Sequence, residues 1–350
     1  MTESSKRIGS FGLIADVQYA DDEDGWNFRK TSRRYYRHGL EVLRWATSDW
    51  MKEFDDDTLK GDPAAMSFAV DLGDVIDGKN EALGQSFQAL DATKDVFHRF
   101  QQHVGPVHHC VGNHELYNFS KETYVKQLTN HTHSARVGPE SLPPSEVKAP
   151  YYSFTMPTMP SFVFVVLDPY GHSVLGLPTD SPGYVAAEKL LAEQNPNENK
   201  NSPLGLPRNE SLRFTAFNGG IDDEQFAWLE KTLESAAAQS QNLVVFTHVP
   251  IHPDTCLPGG VLLWNYLELQ HLFRRHASTV RVVFSGHSHK NGYAEDHGVH
   301  YMVFHAALEC PPSTDDTTNR AYASVDVFES ALHVRGAGII PTRTLTWTKG

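Results

Sequence analysis

Eight side chains of metal-binding type fall just past short apolar runs: Asp16, Gln18, Asp74, Asn113, His114, His248, His287 and His289. They occur in Asp16-Val17-Gln18, Gly73-Asp74-Val75-Ile76-Asp77-Gly78, Gly112-Asn113-His114-Glu115, Thr247-His248-Val249-Pro250 and Gly286-His287-Ser288-His289. Carboxylate, amide and imidazole are all ligand types of divalent cations. Singly, each has a plainer explanation. Asp16 can cap a turn, Gly73-Asp74 is a common turn pair, Asn113 suits a left-handed turn, and His248 suits a satisfied core histidine. Together, in five segments, they are hard to ascribe to coincidence.

Those segments need a scaffold that makes them converge. Apolar runs at 8–15, 66–72, 107–111, 161–167, 242–247 and 280–285 read as strands, mostly covered on both faces. Helical spacing appears at 32–54, 82–100 (with Leu83, Phe87, Leu90, Val96 and Phe97 on one apolar stripe), 222–238 (opened by an Asp222 cap) and 263–276. The segments 300–305, 321–328 and 331–336 read as a strand-rich meander. The expected class is α/β, sheet on sheet with helices outside both. Ligands bind beyond the carboxyl ends of strands in such folds, and the neighbouring glycines let the backbone turn sharply there. The chain reads as one domain, 6–348, with an irregular excursion over about 116–217 that includes an exposed polar loop at 194–202.

Composition narrows the partners. A net charge of −13 over 350 residues argues against nucleic acid, which requires basic stripes. A carboxylate-rich metal site accounts for a small part of that charge, and a solvated acidic surface for most. Cys110, Cys256 and Cys310 are odd in number and scattered, as in a reducing compartment. The polar start shows no secretory pattern, and 162–167, the longest apolar run, is too short to span a bilayer. The sequons at Asn118, Asn130 and Asn209 then read as chance matches. A cytoplasmic protein is expected, with no membrane and no protein partner.

The ordered segments, from Asp16 to His289, resemble the calcineurin-like metallophosphoesterases. That resemblance implies two packed mixed sheets flanked by helices, an αββα sandwich. It implies one cation on Asp16, Gln18, Asp74 and His289, and another on Asp74, Asn113, His248 and His287, with Asp74 shared. His114 would be the proton donor. Two departures narrow the choice. The family usually has His where Gln18 stands, and a neutral amide oxygen is a harder, weaker ligand, favouring Mn²⁺ or Mg²⁺ over Zn²⁺, with iron also among the candidate ions. Phosphoprotein phosphatases carry Arg-Gly after the second Asp, where this chain has Gly78-Lys79.

Ile14-Ala15-Asp16-Val17-Gln18-Tyr19-Ala20-Asp21, Asn27-Phe28, Arg33-Arg34-Tyr35-Tyr36-Arg37 and Gly286-His287-Ser288-His289-Lys290-Asn291-Gly292-Tyr293 are similar to the manganese-dependent ADP-ribose/CDP-alcohol diphosphatases. In that branch Gln18 is the expected residue. The resemblance implies a hydrolase that cuts the pyrophosphate of a small nucleotide-containing substrate, ADP-ribose or CDP-choline, to a nucleoside monophosphate. Its rivals are cyclic-nucleotide phosphodiesterase, phosphoprotein phosphatase and a non-catalytic scaffold on the same fold. Phe28, Tyr19 and Trp26 are candidates to stack on the base, or else ordinary core rings. His252, His305 and Asp296-His297 are candidates to support the ligands from behind.

Overall fold

The computed structural model describes residues 6–62, 64–129, 150–207 and 210–348. The chain runs β1 Gly9–Ile14, β2 Gly25–Trp26, β3 Arg33–Arg34, α1 Tyr36–Leu59, β4 Met66–Asp71, α2 Lys79–Ala82, α3 Ser86–His103 and β5 Val107–His109. There follow α4 Asn113–Asn118, α5 Lys121–Tyr124, β6 Tyr152–Phe154, β7 Phe162–Val166, α6 Pro182–Gln194, α7 Asp223–Ala238 and β8 Asn242–Phe246. The rest is α8 Tyr266–Arg275, β9 Val280–Ser285, β10 Gly292–Asp296, β11 Val299–Val303, β12 Ala321–Phe328, β13 Ala331–Gly338 and β14 Arg343–Thr346.

Two six-stranded mixed sheets result, β14-β13-β12-β1-β4-β5 and β10-β11-β9-β8-β7-β6. In the first, β1, β4 and the edge strand β5 run parallel, with antiparallel strands on the β12 side; in the second, the central β7-β8-β9-β11 run parallel, with antiparallel β6 and β10 outside them. Parallel strands need crossover connections, and the helices supply them. The sheets face each other through aromatic rings. Phe11 stacks on Phe68 at 4.8 Å and meets Phe164 and Phe246 edge-on at 5.8 Å each. All four are fully buried, and each such burial stabilises by about 1.5–3 kcal/mol. On the outer face α1 lies along β1, β4 and β12, with the Trp50 indole N–H donating to the Ala323 carbonyl at 3.2 Å.

The helices differ from the sequence expectation at their ends. Residues 33–34 pair with 25–26 as a small hairpin, so α1 starts at Tyr36, after it. The helix expected over 82–100 is broken by Gly84 at φ +65°, and α3 begins at Ser86. Leu83 and Phe87, expected on its buried stripe, are therefore exposed; Ala89, Leu90, Thr93, Val96, Phe97 and Phe100 form the stripe. Asp222 caps α7 as expected, accepting from the Gln225 N–H at 2.8 Å. Within 116–217 the structure holds α5, β6, β7 and α6; the last opens on a Ser181 cap followed by Pro182. Asn118 turns its amide inward onto the carbonyls of Asp77 and His114, while the sequons at Asn130 and Asn209 lie outside the described residues.

Candidate metal centre

Five strand ends meet at one edge of the sandwich. Asp16 and Gln18 follow β1, Asp74 follows β4, Asn113 follows β5 and opens α4, His248 follows β8, and His287 and His289 follow β9. The loops are stitched together by backbone bonds. Asp16 N–H donates to Gly73, Gln18 N–H to Asp74, and Gly286 N–H to His248, at 2.8–3.1 Å. Asp16, Gln18, Asp74, His287 and His289 all have φ between 42° and 64°. L-residues avoid that region, at a cost of about 1–3 kcal/mol each, and keep it where the surroundings enforce it at functional sites. Two glycines make the approach feasible. A Cβ on Gly112 would lie 2.1 Å from Asp74 Oδ1, and one on Gly286 2.5 Å from Asp16 Oδ2.

The side chains converge in two groups that share Asp74. Asp74, His248 and His287 present atoms within 4.8 Å of one another, and so do Asp16, Asp74 and His289. His248 Nε2 is 3.2 Å from Asp74 Oδ2 and 3.1 Å from His287 Nδ1. His289 Nε2 is 3.3 Å from Asp16 Oδ1 and 2.9 Å from Gln18 Nε2. Each ring is held from behind by its other nitrogen. His248 Nδ1 reaches the Leu72 carbonyl at 2.8 Å, His287 Nε2 reaches Asn218 Oδ1 at 2.7 Å, and His289 Nδ1 reaches Glu309 Oε1 at 3.0 Å. When those nitrogens carry the protons, the inner nitrogens present lone pairs to the centre, as metal-binding histidines do.

This donor set fits two divalent cations, with one carboxylate between them. A buried, unpartnered Gln18 Oε1 adds to the fit. Turning that amide by 180° keeps its shape and aims the oxygen at Asp74 and His289. Asn113 is buried beside Asp74's loop, its carbonyl accepting from the Tyr170 hydroxyl at 3.4 Å.

Protonation follows the same crowding. Burial pushes the Asp74 carboxyl up, but the positive charge of His248 and His114 prevails and holds it below the usual carboxylate range. Burial disfavours charge on His248, yet Asp74 beside it raises its pKa to about 10. His287 is pushed the other way, by burial and then by His248. His114 Nδ1 accepts the Gly78 N–H at 2.8 Å and lies 3.2 Å from Asp77; its Nε2 points inward, 4.0 Å from Asp74. Burial works against its charge, but Asp74 and Asp77 raise its pKa.

Three supporting residues were not singled out from the sequence. Glu115 accepts from the N–H groups of Asp74, Val75 and Gly112 at 2.7–2.9 Å and so fixes the turn that carries Asp74. Burial, followed by the charges of Asp74 and Asp71, pushes its pKa up to about 8. Asn218 and Glu309 orient His287 and His289, as described. Only Glu115 had a signal, its place beside Asn113-His114, because a cap three residues into a helix is a known pattern. By contrast Asp296 pairs with Arg274, and His252 stacks near Tyr301, so neither bonds a ligand directly. His305 bonds the Ala306 carbonyl, and His297 is exposed beside Asp296.

The proposed base-stacking rings are not core residues as a group. Phe28 is 91% exposed and Trp26 52% exposed, whereas Tyr19 is partly buried against the core. Asn27 closes the turn between β2 and β3, its side chain accepting from Thr31 N–H at 2.8 Å, and this turn holds Phe28 out.

A two-sheet sandwich with this edge of carboxylates and imidazoles defines a class. The chain belongs to the calcineurin-like phosphoesterase family, which it matches over residues 11–291. More particular likenesses agree. It is 38% identical over 354 residues to the manganese-dependent ADP-ribose/CDP-alcohol diphosphatase of Homo sapiens, covering 100% of this chain and 96% of that one. Against the Arabidopsis thaliana protein of the same description it is 38% identical, covering 93% of each. A crystal structure of a dimetal phosphatase from Danio rerio superposes with TM-score 0.84 at 30% identity, covering 98% of this chain and 100% of that one.

Proposed function

We propose that this chain is a two-metal hydrolase that cleaves the pyrophosphate of ADP-ribose and of CDP-alcohols such as CDP-choline, releasing a nucleoside monophosphate. The observation that carries the reading is the pair of ligand groups joined at Asp74. Asp16, Gln18, Asp74 and His289 would hold one cation, and Asp74, Asn113, His248 and His287 the other, with Mn²⁺ the preferred ion. When bound, such a pair supplies an acidified water and positive charge for phosphoryl oxygens.

The chain's own residues do the rest. Glu115 and Gly112 keep Asp74 in its left-handed turn. Asn218, Glu309 and the Leu72 carbonyl keep the imidazole lone pairs inward. His114, whose charged form is supported by Asp74 and by Asp77 at 3.2 Å from its Nδ1, would give its Nε2 proton to the leaving oxygen. Phe28, exposed on the turn between β2 and β3, would stack on the nucleobase. Gly78 leaves no arginine at the position where phosphoprotein phosphatases grip phosphate, and Lys79 is engaged with Asp22 at 2.5 Å. The partner is a small nucleotide-containing molecule rather than nucleic acid, membrane or protein. We place the enzyme in the cytoplasm, in keeping with three buried, unpaired cysteines.

The test is a Mn²⁺-supplemented assay of ADP-ribose, CDP-choline, cyclic AMP and a phosphopeptide side by side. The proposal expects the two diphosphates to be cleaved with the highest kcat/KM. Faster turnover of cyclic AMP or the phosphopeptide overturns it.

A further inference from the structure

Gly78 has φ −60° and ψ −19°, a backbone that other residues adopt freely, so its missing side chain answers a need for room rather than for conformation. The room is taken by Tyr117. A Cβ on Gly78 would lie 2.7 Å from Tyr117 Cδ2, too close without displacement, and 3.4 Å from His114 Nδ1. Tyr117 stands one turn along α4, three residues after His114 and four after Asn113, so it shares a face with both. Its ring meets the His114 imidazole in a T-shaped contact, centroids 5.3 Å apart and planes at 64°.

That contact supplies a constraint the imidazole otherwise lacks. The last torsion of a histidine side chain is broad, with no sharp staggered minima. Polar neighbours hold His114 at one atom: Nδ1 lies 2.8 Å from the Gly78 nitrogen and 3.2 Å from Asp77. The inward atom, Nε2, is 4.0 Å from Asp74, beyond hydrogen-bond reach. Tyr117 is 36% exposed and packs outside His114, whose side chain is 15% exposed, so its ring blocks a swing towards solvent. The far end of Tyr117 is tethered in turn, where its hydroxyl meets the Asn113 amide.

We propose that Tyr117 is a positioning residue for the hydrolysis: its ring, admitted by Gly78, wedges His114 so that Nε2 faces the leaving oxygen. This rests on the reading of His114 as proton donor and deepens it. No bond forms or breaks at Tyr117. In the step it serves, the oxygen of water joins one phosphorus, and the bond from that phosphorus to the bridging oxygen breaks. The bridging oxygen departs with the electron pair and takes the proton from His114 Nε2; His114 regains a proton from solvent, to which the water gives one up. A donor displaced by about 1 Å loses up to about 100-fold in rate, so an imidazole free to swing forfeits much of its effect.

The experiment measures kcat and KM for ADP-ribose at saturating Mn²⁺ in the parent, Y117A, Y117F, H114N and the double variant Y117A/H114N. Y117A should lower kcat by about 10- to 100-fold and leave KM within about threefold. Y117F keeps the ring and drops the tether to Asn113, and should recover most of the loss. In the H114N background the same Y117A change should cost less than about twofold, because residues that act through one another are not additive. The crystal structure of Y117A reads the same point without turnover: His114 Nε2 should leave its place beside Asp74 or occupy several. An undiminished kcat in Y117A, a change in KM alone, a full further loss in the H114N background, Y117F as poor as Y117A, or an unmoved His114 ring each overturns the assignment. Should the parent fail to cleave ADP-ribose, or H114N turn over like the parent, the reading of His114 falls, while its ring in the Y117A structure still decides whether Tyr117 holds it.

Discussion

Glu115 offers the sharpest quantitative test, because one carboxylate organises the turn that carries the shared ligand. Its Oε2 accepts from Asp74 and Gly112, both at 2.9 Å, and its Oε1 from Val75 at 2.7 Å and Ile76 at 3.4 Å. Glu115→Gln keeps the shape and one oxygen. Its amide NH₂ must then face two of these N–H groups, which become buried donors without acceptors. Two bonds to a charged acceptor are worth about 1.5–3 kcal/mol each. The neutral amide relieves the burial of charge that raises the carboxyl's pKa, which offsets part of this, so the expected net loss is about 1–3 kcal/mol. That is a large fraction of a typical folding stability of about 5–15 kcal/mol. Urea denaturation of parent and E115Q, both with chelator and at pH 9, above the raised pKa of the carboxyl, measures it. A loss below about 1 kcal/mol would refute the reasoning, since buried N–H groups cannot lose such an acceptor so cheaply.

Four further outcomes are expected. Gln18→His should raise the ratio of Zn²⁺- to Mn²⁺-supported activity by about tenfold, and an unchanged ratio defeats the ligand role of the amide. Asn218→Leu removes the acceptor at 2.7 Å from His287 and should weaken Mn²⁺ binding by about 10- to 100-fold by calorimetry, while Asn218→Asp largely retains it. His108 is buried against Phe154 at 3.7 Å, and burial, then His109, lowers its pKa to about 3. The unfolded chain therefore takes up a proton below about pH 6.5 that the folded chain refuses, and stability is lost at about 1.4 kcal/mol per pH unit as pH falls towards 3. In denaturation curves between pH 6 and 4, His108→Phe should lack that slope; parallel curves would remove His108 from the account. Phe28→Ala should shift the preference among ADP-ribose, CDP-choline and simple diesters by at least about threefold, as loss of one stacking contact implies, and an untouched preference removes Phe28 from the site.

Much of this was legible in the sequence for identifiable reasons. Strand runs such as 242–247 are apolar at every position because both faces are covered, and a glycine next to Asp74, Asn113 and His287 marks each turn into the centre. What escaped reading depends on tertiary proximity. Asn218 lies in a loop and reaches His287 across 69 residues, so nothing local distinguishes it from other turn asparagines. Glu309 is 20 residues from His289, in a short 3₁₀ turn after β11, and reads as a surface acid until folded. Leu83 and Phe87 misled for the opposite reason. Their spacing is helical, but Gly84 in the left-handed region ends one helix before the next begins.

The seam between the sheets has a mechanical consequence. Asp16 and Asp74 come from the sheet that contains β1 and β4, while His248, His287 and His289 come from the sheet that contains β8 and β9. Both ligand groups mix the two sources. Each ion, once seated, therefore acts as a rivet through two layers that share no strand, and its binding energy opposes their splaying apart. Stripping the ions should loosen both layers at this edge together, so the slowest-exchanging amides of β4 and β8 lose protection in step.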